Sequence, residues 1–311
     1  MPKRPRHLPT LAVTGGTGFV GAHLIRWAHE AGHPVRALTR KWRPFENGVE
    51  WVEGALDRPE SLRKLAEGSD AVIHIAGAIN AADRAEFEAV NAGGTASMID
   101  AARAAGVRRF VHISSLSARE PELSNYGWSK AKSEQIVAAS GLDWTIIRPP
   151  AIYGPGDRET LELFKMARRG LVVLPPGGRF SVIHVDDLCR LILAVLDDDD
   201  SRSALYEPDD GTPGGWAHAD FAQALGSAFG RERTRTLAAP RPGVQVAARI
   251  AKLFRGSKAK LTPDRARYFC YPDWAAAPDR KPSPRLWQPK VGTQAGLKAT
   301  ADWYLAEKWL K

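Results

Sequence analysis

The stretch "TLAVTGGTGFVGAHL", residues 10–24, decides the fold. It begins as a short apolar strand, passes through glycines at 15, 16, 18 and 21, and runs into a helical segment closed by Gly32. Glycine allows a tight turn and close backbone approach, and a helix N-terminus offers unpaired N–H groups to an anion. The spacing fits G-x-G-x-x-G from Gly16 and G-x-x-G-x-x-G from Gly15. At the first strand-to-helix junction of a chain, that pattern predicts a loop that cradles the pyrophosphate of a dinucleotide. Gly15, Gly18, Phe19, Val20 and Gly21 are the residues expected against it.

Outward from this loop, short β-branched runs alternate with Ala-rich helical segments. "PVRALTR", "VEWVEG", "AVIHIAG", "RFVHISS" and "WTIIRPP" read as strands. "RPESLRKLAEG", "AEFEAVNAGGTASMIDAARAAG" and "SKAKSEQIVAASG" read as helices between them. Strands that are apolar on both faces and separated by helices predict an α/β fold, a doubly wound, parallel Rossmann-type sheet covered on both sides. After residue 150 Pro and Gly become frequent and elements shorten. The expected organisation is a basic N-terminal arm over 1–10, an NAD(P)-binding core over 11–150, and a smaller substrate-binding lobe over 151–311 interleaved with the last sheet elements.

The second strand selects the dinucleotide. A site for NAD usually carries an acid about 20 residues past the loop, for the ribose hydroxyls. Here the strand ends "ALTRKWR", with Arg40, Lys41 and Arg43 and no acid. A guanidinium binds a 2′-phosphate in bidentate fashion, so Arg40 points to NADP(H), with NAD as second choice. Asp57, after the third strand, is placed either to reach the adenine or to cap the helix that follows.

The 311 residues suffice for a full core, and the net charge is +9. The excess sits in the N-terminal arm and in a basic segment whose residues 244–261 read as an amphipathic helix. No nucleic-acid signature accompanies it, so a nucleic-acid partner is not expected. Peripheral membrane contact is a minor reading, and no run is long enough to span a bilayer. The N-terminus lacks the apolar region of a secretory signal. Cys189 and Cys270 have no partner at metal-ligand spacing, which points to reduced thiols, no metal and the cytoplasm.

"SNYGWSKAKSE", residues 124–134, sets Tyr126 four residues before Lys130, one helical turn apart and on one face. Alone, that is an ordinary surface helix. Together with "TGGTGFVG", "VIHIAG", "VNAGGTASMIDAA", "FVHISS", "RPPAIYGPGD" and "SVIHVDDL" in this order, the chain resembles the extended and atypical short-chain dehydrogenase/reductases, the NAD-dependent epimerase/dehydratase family. The resemblance implies Ser115 as the catalytic serine, with Ser114 the less favoured neighbour, Tyr126 as the acid/base and Lys130 as its partner. It also implies cofactor contacts at Ala76, Gly77, Tyr126 and Lys130, a small-molecule substrate, and dimers through the Tyr-Lys helix as a family habit. A lysine ammonium one turn away favours the phenolate, which an isolated phenol with a pKa near 10 does not form at neutral pH.

The expected activity is NADP(H)-dependent interconversion of a carbonyl and a secondary alcohol. Two alternatives stand beside it, a nucleotide-sugar epimerase of the same family and a non-catalytic NADP-binding scaffold. The absence of an acid after Ser115, and Pro150 and Ala151 where a sugar-nucleotide enzyme commonly places Asn, weigh against the epimerase. His74 and His112 read as packing residues inside strands, and His184, Asp186 and Asp187 as a turn and helix cap.

Overall fold

The computed structural model describes residues 8–45, 48–175, 177–246 and 263–310. The N-terminal arm up to residue 7, and the basic segment from residue 247 to 261, lie outside the described residues. The chain divides into two compact units. The first comprises Met1–Ser114, Ser129–Ile147 and Cys189–Leu205, and the second Ser115–Trp128, Arg148–Leu188 and Tyr206–Lys311.

The first unit is built on β1 (Leu11–Thr14), β2 (Val35–Thr39), β3 (Val49–Glu53), β4 (Ala71–His74), β5 (Arg109–Ile113) and β6 (Asp143–Ile147). They pair in parallel in the order β6-β5-β4-β1-β2-β3, and the strand Ala204–Tyr206 extends the sheet beside β6. This is the dinucleotide-binding order, whose direction reverses between β1 and β4. Every residue of β1, β4 and β5 is buried, because helices cover both faces. Leu62 and Leu65 of α2 (Pro59–Ala66), Met98 of α4 (Gly94–Ala104), Phe110 and Ile146 share one core cluster. Helix α1 (Phe19–Glu30) ends where Gly32 takes φ +87° and donates its N–H to the His29 carbonyl at 2.9 Å.

The helical run expected over 85–106 departs from the α form in its first half. After α3 (Arg84–Phe87), residues Glu88–Gly93 form a π-helical stretch before α4 begins. The Asn91 side chain is drawn out of the helix to the backbone of Ala78, which accounts for the widened turn. A Cβ on Gly94 would come within 2.7 Å of the Leu56 side chain.

In the second unit, Phe164 and Tyr304 meet edge to face at 5.1 Å, and Phe180 and Phe221 at 5.0 Å. The Tyr304 hydroxyl donates to the Asp157 carbonyl at 2.7 Å. Glu207, wholly buried, receives Arg148 at 3.2 Å, the Ala277 N–H at 2.9 Å and Arg119 at 3.7 Å. Removing one partner of a buried ion cluster strands the others without solvent. Glu207→Ala should therefore lower unfolding stability by about 3–5 kcal/mol. Glu207→Gln, which still accepts from Ala277, should lose distinctly less. Urea unfolding of both variants checks the order, and equal losses would refute it. No helix among the described residues is long and apolar enough to cross a membrane.

Candidate active site

The glycine loop of the first unit is a turn closed by a hydrogen bond from Gly18 N–H to the Gly15 carbonyl at 3.0 Å. Gly15 sits at φ +77°, and a Cβ there would lie 2.8 Å from the backbone nitrogen of Ala76. A Cβ on Gly21 would lie 2.1 Å from the Gly15 carbonyl oxygen. Both glycines are therefore required by backbone packing. Gly18 is the N-cap of α1 and supplies no side-chain cap, so no side chain at that position competes with an anion for the first-turn N–H groups, which include those of Phe19 and Val20.

The Ala76–Gly77 loop beyond β4 lies against this turn and is fixed by a chain of buried polar groups. Thr95 Oγ1 donates to the Asn91 carbonyl at 2.6 Å, so it accepts from His74 Nε2 at 3.1 Å. His74 Nδ1 is then the acceptor for Thr14 Oγ1 at 2.8 Å, and Thr14 Oγ1 accepts the Ala76 N–H at 3.2 Å. Each group is used once, and the proton assignment follows from that accounting. Burial, aided by the positive charge of Lys130, lowers the His74 pKa to about 3, so the ring stays neutral. Asn91 completes the brace, accepting from Ala78 N–H at 2.7 Å and donating to the Ser129 hydroxyl at 2.8 Å. Gly77 leaves no room for a side chain, since its Cβ would meet Asn91 Oδ1 at 2.9 Å.

Arg40 is exposed immediately beyond β2, while Arg43 stacks over the Trp51 ring with its guanidinium 5.0 Å from the centroid. Asp57 is exposed before α2. The N-cap position there belongs to Arg58, with no side-chain cap.

Lys130 is buried in the first unit. Its Nζ donates to the Ile113 carbonyl at 2.7 Å. Burial lowers its pKa to about 8, opposed by the carboxylate of buried Glu134. Glu134 in turn accepts the hydroxyl of Ser114. His112 stacks on His74 at 5.5 Å, reaches Ser133 at 3.0 Å and is held neutral by burial and by Lys130.

The second unit holds Ser115 and Tyr126. Tyr126 opens α5 (Asn125–Ala138), which Ser124 caps by accepting the Gly127 N–H at 2.9 Å. Ser115 begins a short 3₁₀ turn, Leu116–Arg119, and accepts the Ser117 N–H at 3.2 Å. A Cβ on Gly127 would lie 2.5 Å from the Ser117 carbonyl, so this glycine lets the helix start close to that turn. The side chains of Ser115 and Tyr126 are hydrogen-bonded. Burial raises the Tyr126 pKa, against the Ser115 hydrogen bond and the charge of Arg265, while Glu159 adds to the rise.

The resemblance implies Ser115, with Ser114 the less favoured neighbour, and the surroundings of the two serines differ. Ser115 meets the phenol, and Ser114 is taken by Glu134. Lys130 lies one turn along α5 from Tyr126, past the point where the helix passes from the second unit into the first. Tyr153 is core packing, edge-on to His184 at 5.3 Å. Asp187 caps the backbone N–H groups of Lys290 and Val291 at 3.1 Å, and His184 Nδ1 accepts from Asp186 N–H at 3.2 Å. Sequence reasoning missed Glu134, the Thr14–His74–Thr95 chain and Tyr268, a second phenol that senses the charge of Tyr126. A Glu four residues past Lys130 was the one available signal.

The pattern of the NAD dependent epimerase/dehydratase family matches residues 11–206. A protein of Caulobacter vibrioides named ceramide reductase is 37% identical over 316 aligned residues, covering 96% of each chain. Among solved structures, gox2253 superposes with a TM-score of 0.77 at 20% identity, covering 98% of this chain and all of that one. MoeE5 in complex with UDP-glucose and NAD gives a TM-score of 0.72 at 22% identity, covering 96% and 99%. At these identities the two structures speak for the fold alone.

Proposed function

Because the chain belongs to the NAD dependent epimerase/dehydratase family, we propose that it is an NADP(H)-dependent carbonyl reductase that uses Tyr126 as its proton donor. The observation that carries this reading is Tyr126, hydrogen-bonded to Ser115 and one turn before the buried Lys130 on α5. Bound NADPH would supply the hydride. The glycine loop and the N-terminus of α1 would hold its pyrophosphate, Ala76 and Gly77 would line its path, and Lys130 would hold ribose hydroxyls. The first unit thereby acts as the cofactor-binding part and the second as the substrate-binding part.

In reduction, the ketone oxygen gains negative charge as hydride arrives. Ser115 donates a hydrogen bond to that oxygen, and Tyr126 delivers the proton. A phenol whose pKa is raised by burial is fully protonated at neutral pH, the form a proton donor needs. The similarity to the Caulobacter vibrioides ceramide reductase, which runs the length of both chains, supports a ceramide-type lipid ketone as the substrate class.

The cofactor assignment has its own test. Arg40→Ala should weaken NADPH binding by about 1.5–3 kcal/mol, roughly ten- to a hundredfold, through loss of a charged hydrogen bond to the 2′-phosphate. NADH binding should be unchanged. Equilibrium titration of both proteins with both nucleotides decides it. Equal affinity of the wild type for NADH and NADPH would overturn the NADP reading and leave the hydride chemistry standing.

A further inference from the structure

We propose that the outer face of the small parallel sheet formed by Leu171–Leu174 and Arg235–Ala238, in the second unit, docks on an anionic lipid bilayer. The two strands pair with Leu171 opposite Arg235 and Val173 opposite Leu237. Ladder partners share a face and alternate residues share a side, so Leu171, Val173, Arg235 and Leu237 form one surface. Val172 and Leu174 point the other way, into the core with Phe164 and Ala167.

The outer residues are left in water. Leu171 is 44% exposed, Val173 40% and Leu237 56%. Parallel strands are almost always covered on both faces, so a two-stranded parallel ribbon that leaves these aliphatic side chains open, and whose second strand is exposed along its whole length, departs from the rule. The core does not require those three side chains to be apolar. Clustered exposed apolar residues ringed by polar ones mark an interaction site.

The surrounding charge identifies the partner. Arg169, Arg231, Arg233, Arg235 and Arg241 are all exposed around the ribbon, and between residues 231 and 241 the single acid is Glu232. Arg231 is held beside the first strand by its donation to the Arg168 carbonyl at 2.8 Å. Aliphatic side chains at the centre and arginines at the rim match the acyl boundary and the anionic headgroups of a membrane surface. A single-stranded nucleic-acid platform would instead present aromatic rings for base stacking, and this ribbon has none. The docking face stands independently of the proposed substrate.

The test is flotation of the full chain with two kinds of vesicle, phosphatidylcholine alone and phosphatidylcholine containing phosphatidylglycerol, at low and high salt. The protein is expected to float with the anionic vesicles at low salt, to release as salt screens the contact, and to ignore the neutral vesicles. The double variant Arg233→Glu, Arg235→Glu should weaken partitioning by at least about twentyfold, from roughly fivefold for each cation lost. Leu237→Ser should weaken it by about tenfold through lost apolar burial. NADPH binding by each variant verifies that the chain is folded and reads the cofactor site separately from the docking face. No flotation with anionic vesicles, undiminished flotation of both variants, or equal binding to neutral vesicles would each overturn the proposal. Tight, salt-sensitive binding to DNA without flotation would assign the arginines to nucleic acid.

Discussion

Replacing Tyr126 with phenylalanine should lower kcat for ketone reduction by about 10²–10⁴-fold, the usual contribution of a positioned general acid. The substitution keeps the ring and removes one oxygen. The residue is partly buried at the start of α5, so its packing survives. The lost hydrogen bond is the one to Ser115, a neutral pair contributing about 0.5–1.5 kcal/mol to stability. NADPH affinity should fall far less than kcat, because the contacts proposed for the pyrophosphate lie on the glycine loop and the phenol would be one contact among several. A loss confined to kcat marks an interaction made in the transition state, whereas a loss confined to KM would mark simple binding. Steady-state kinetics with a ceramide-type ketone, beside a nucleotide titration, separate the two. An unchanged kcat would remove Tyr126 from the chemistry.

Gly21→Ala should abolish useful cofactor binding. The new Cβ would lie 2.1 Å from the Gly15 carbonyl oxygen, and 2.7 Å from both the Gly15 carbonyl carbon and Gly16 Cα. These are backbone atoms in the turn itself, so no side chain can rotate away to relieve the contact. The turn must open, and the Gly15 backbone then leaves its place against Ala76. A hundredfold rise in the NADPH Kd, about 2.8 kcal/mol, is the expected minimum. Overpacking should also destabilise the fold by about 1–3 kcal/mol. Gly18→Ala is the informative companion. Its Cβ would stand 3.3 Å from the same oxygen, with the backbone at φ −83°, open to any residue. It should lose much less affinity than Gly21→Ala, and the reverse order would refute this account of the loop.

These two positions also show how far the sequence carries. The glycine spacing and the strand-helix alternation made the first unit legible, because period, turn chemistry and burial on both faces act locally. Other features depend on contacts between distant residues. The π-helical stretch at Glu88–Gly93 follows from Asn91 reaching Ala78, which no helical periodicity encodes. The capture of the Ser114 hydroxyl by Glu134, twenty positions further on, is another such contact. The cluster around Glu207 gathers Arg119, Arg148 and Ala277 from across the chain. The exposed ribbon pairs strands more than sixty residues apart, and "RTLA" alone does not announce a strand. The division at Ser115 and Trp128 is equally silent in the sequence, since it cuts through a continuous helix.

The most direct test of the central claim is deuteride transfer from NADPH carrying deuterium at both C4 positions to a ceramide-type ketone, read by mass spectrometry of the product alcohol. The wild-type protein should yield an alcohol carrying one deuterium, and Tyr126→Phe should yield almost none in the same time. Stoichiometric NADPH binding with no deuterium reaching the ketone would contradict carbonyl reduction and leave the chain a nucleotide-binding protein without this chemistry.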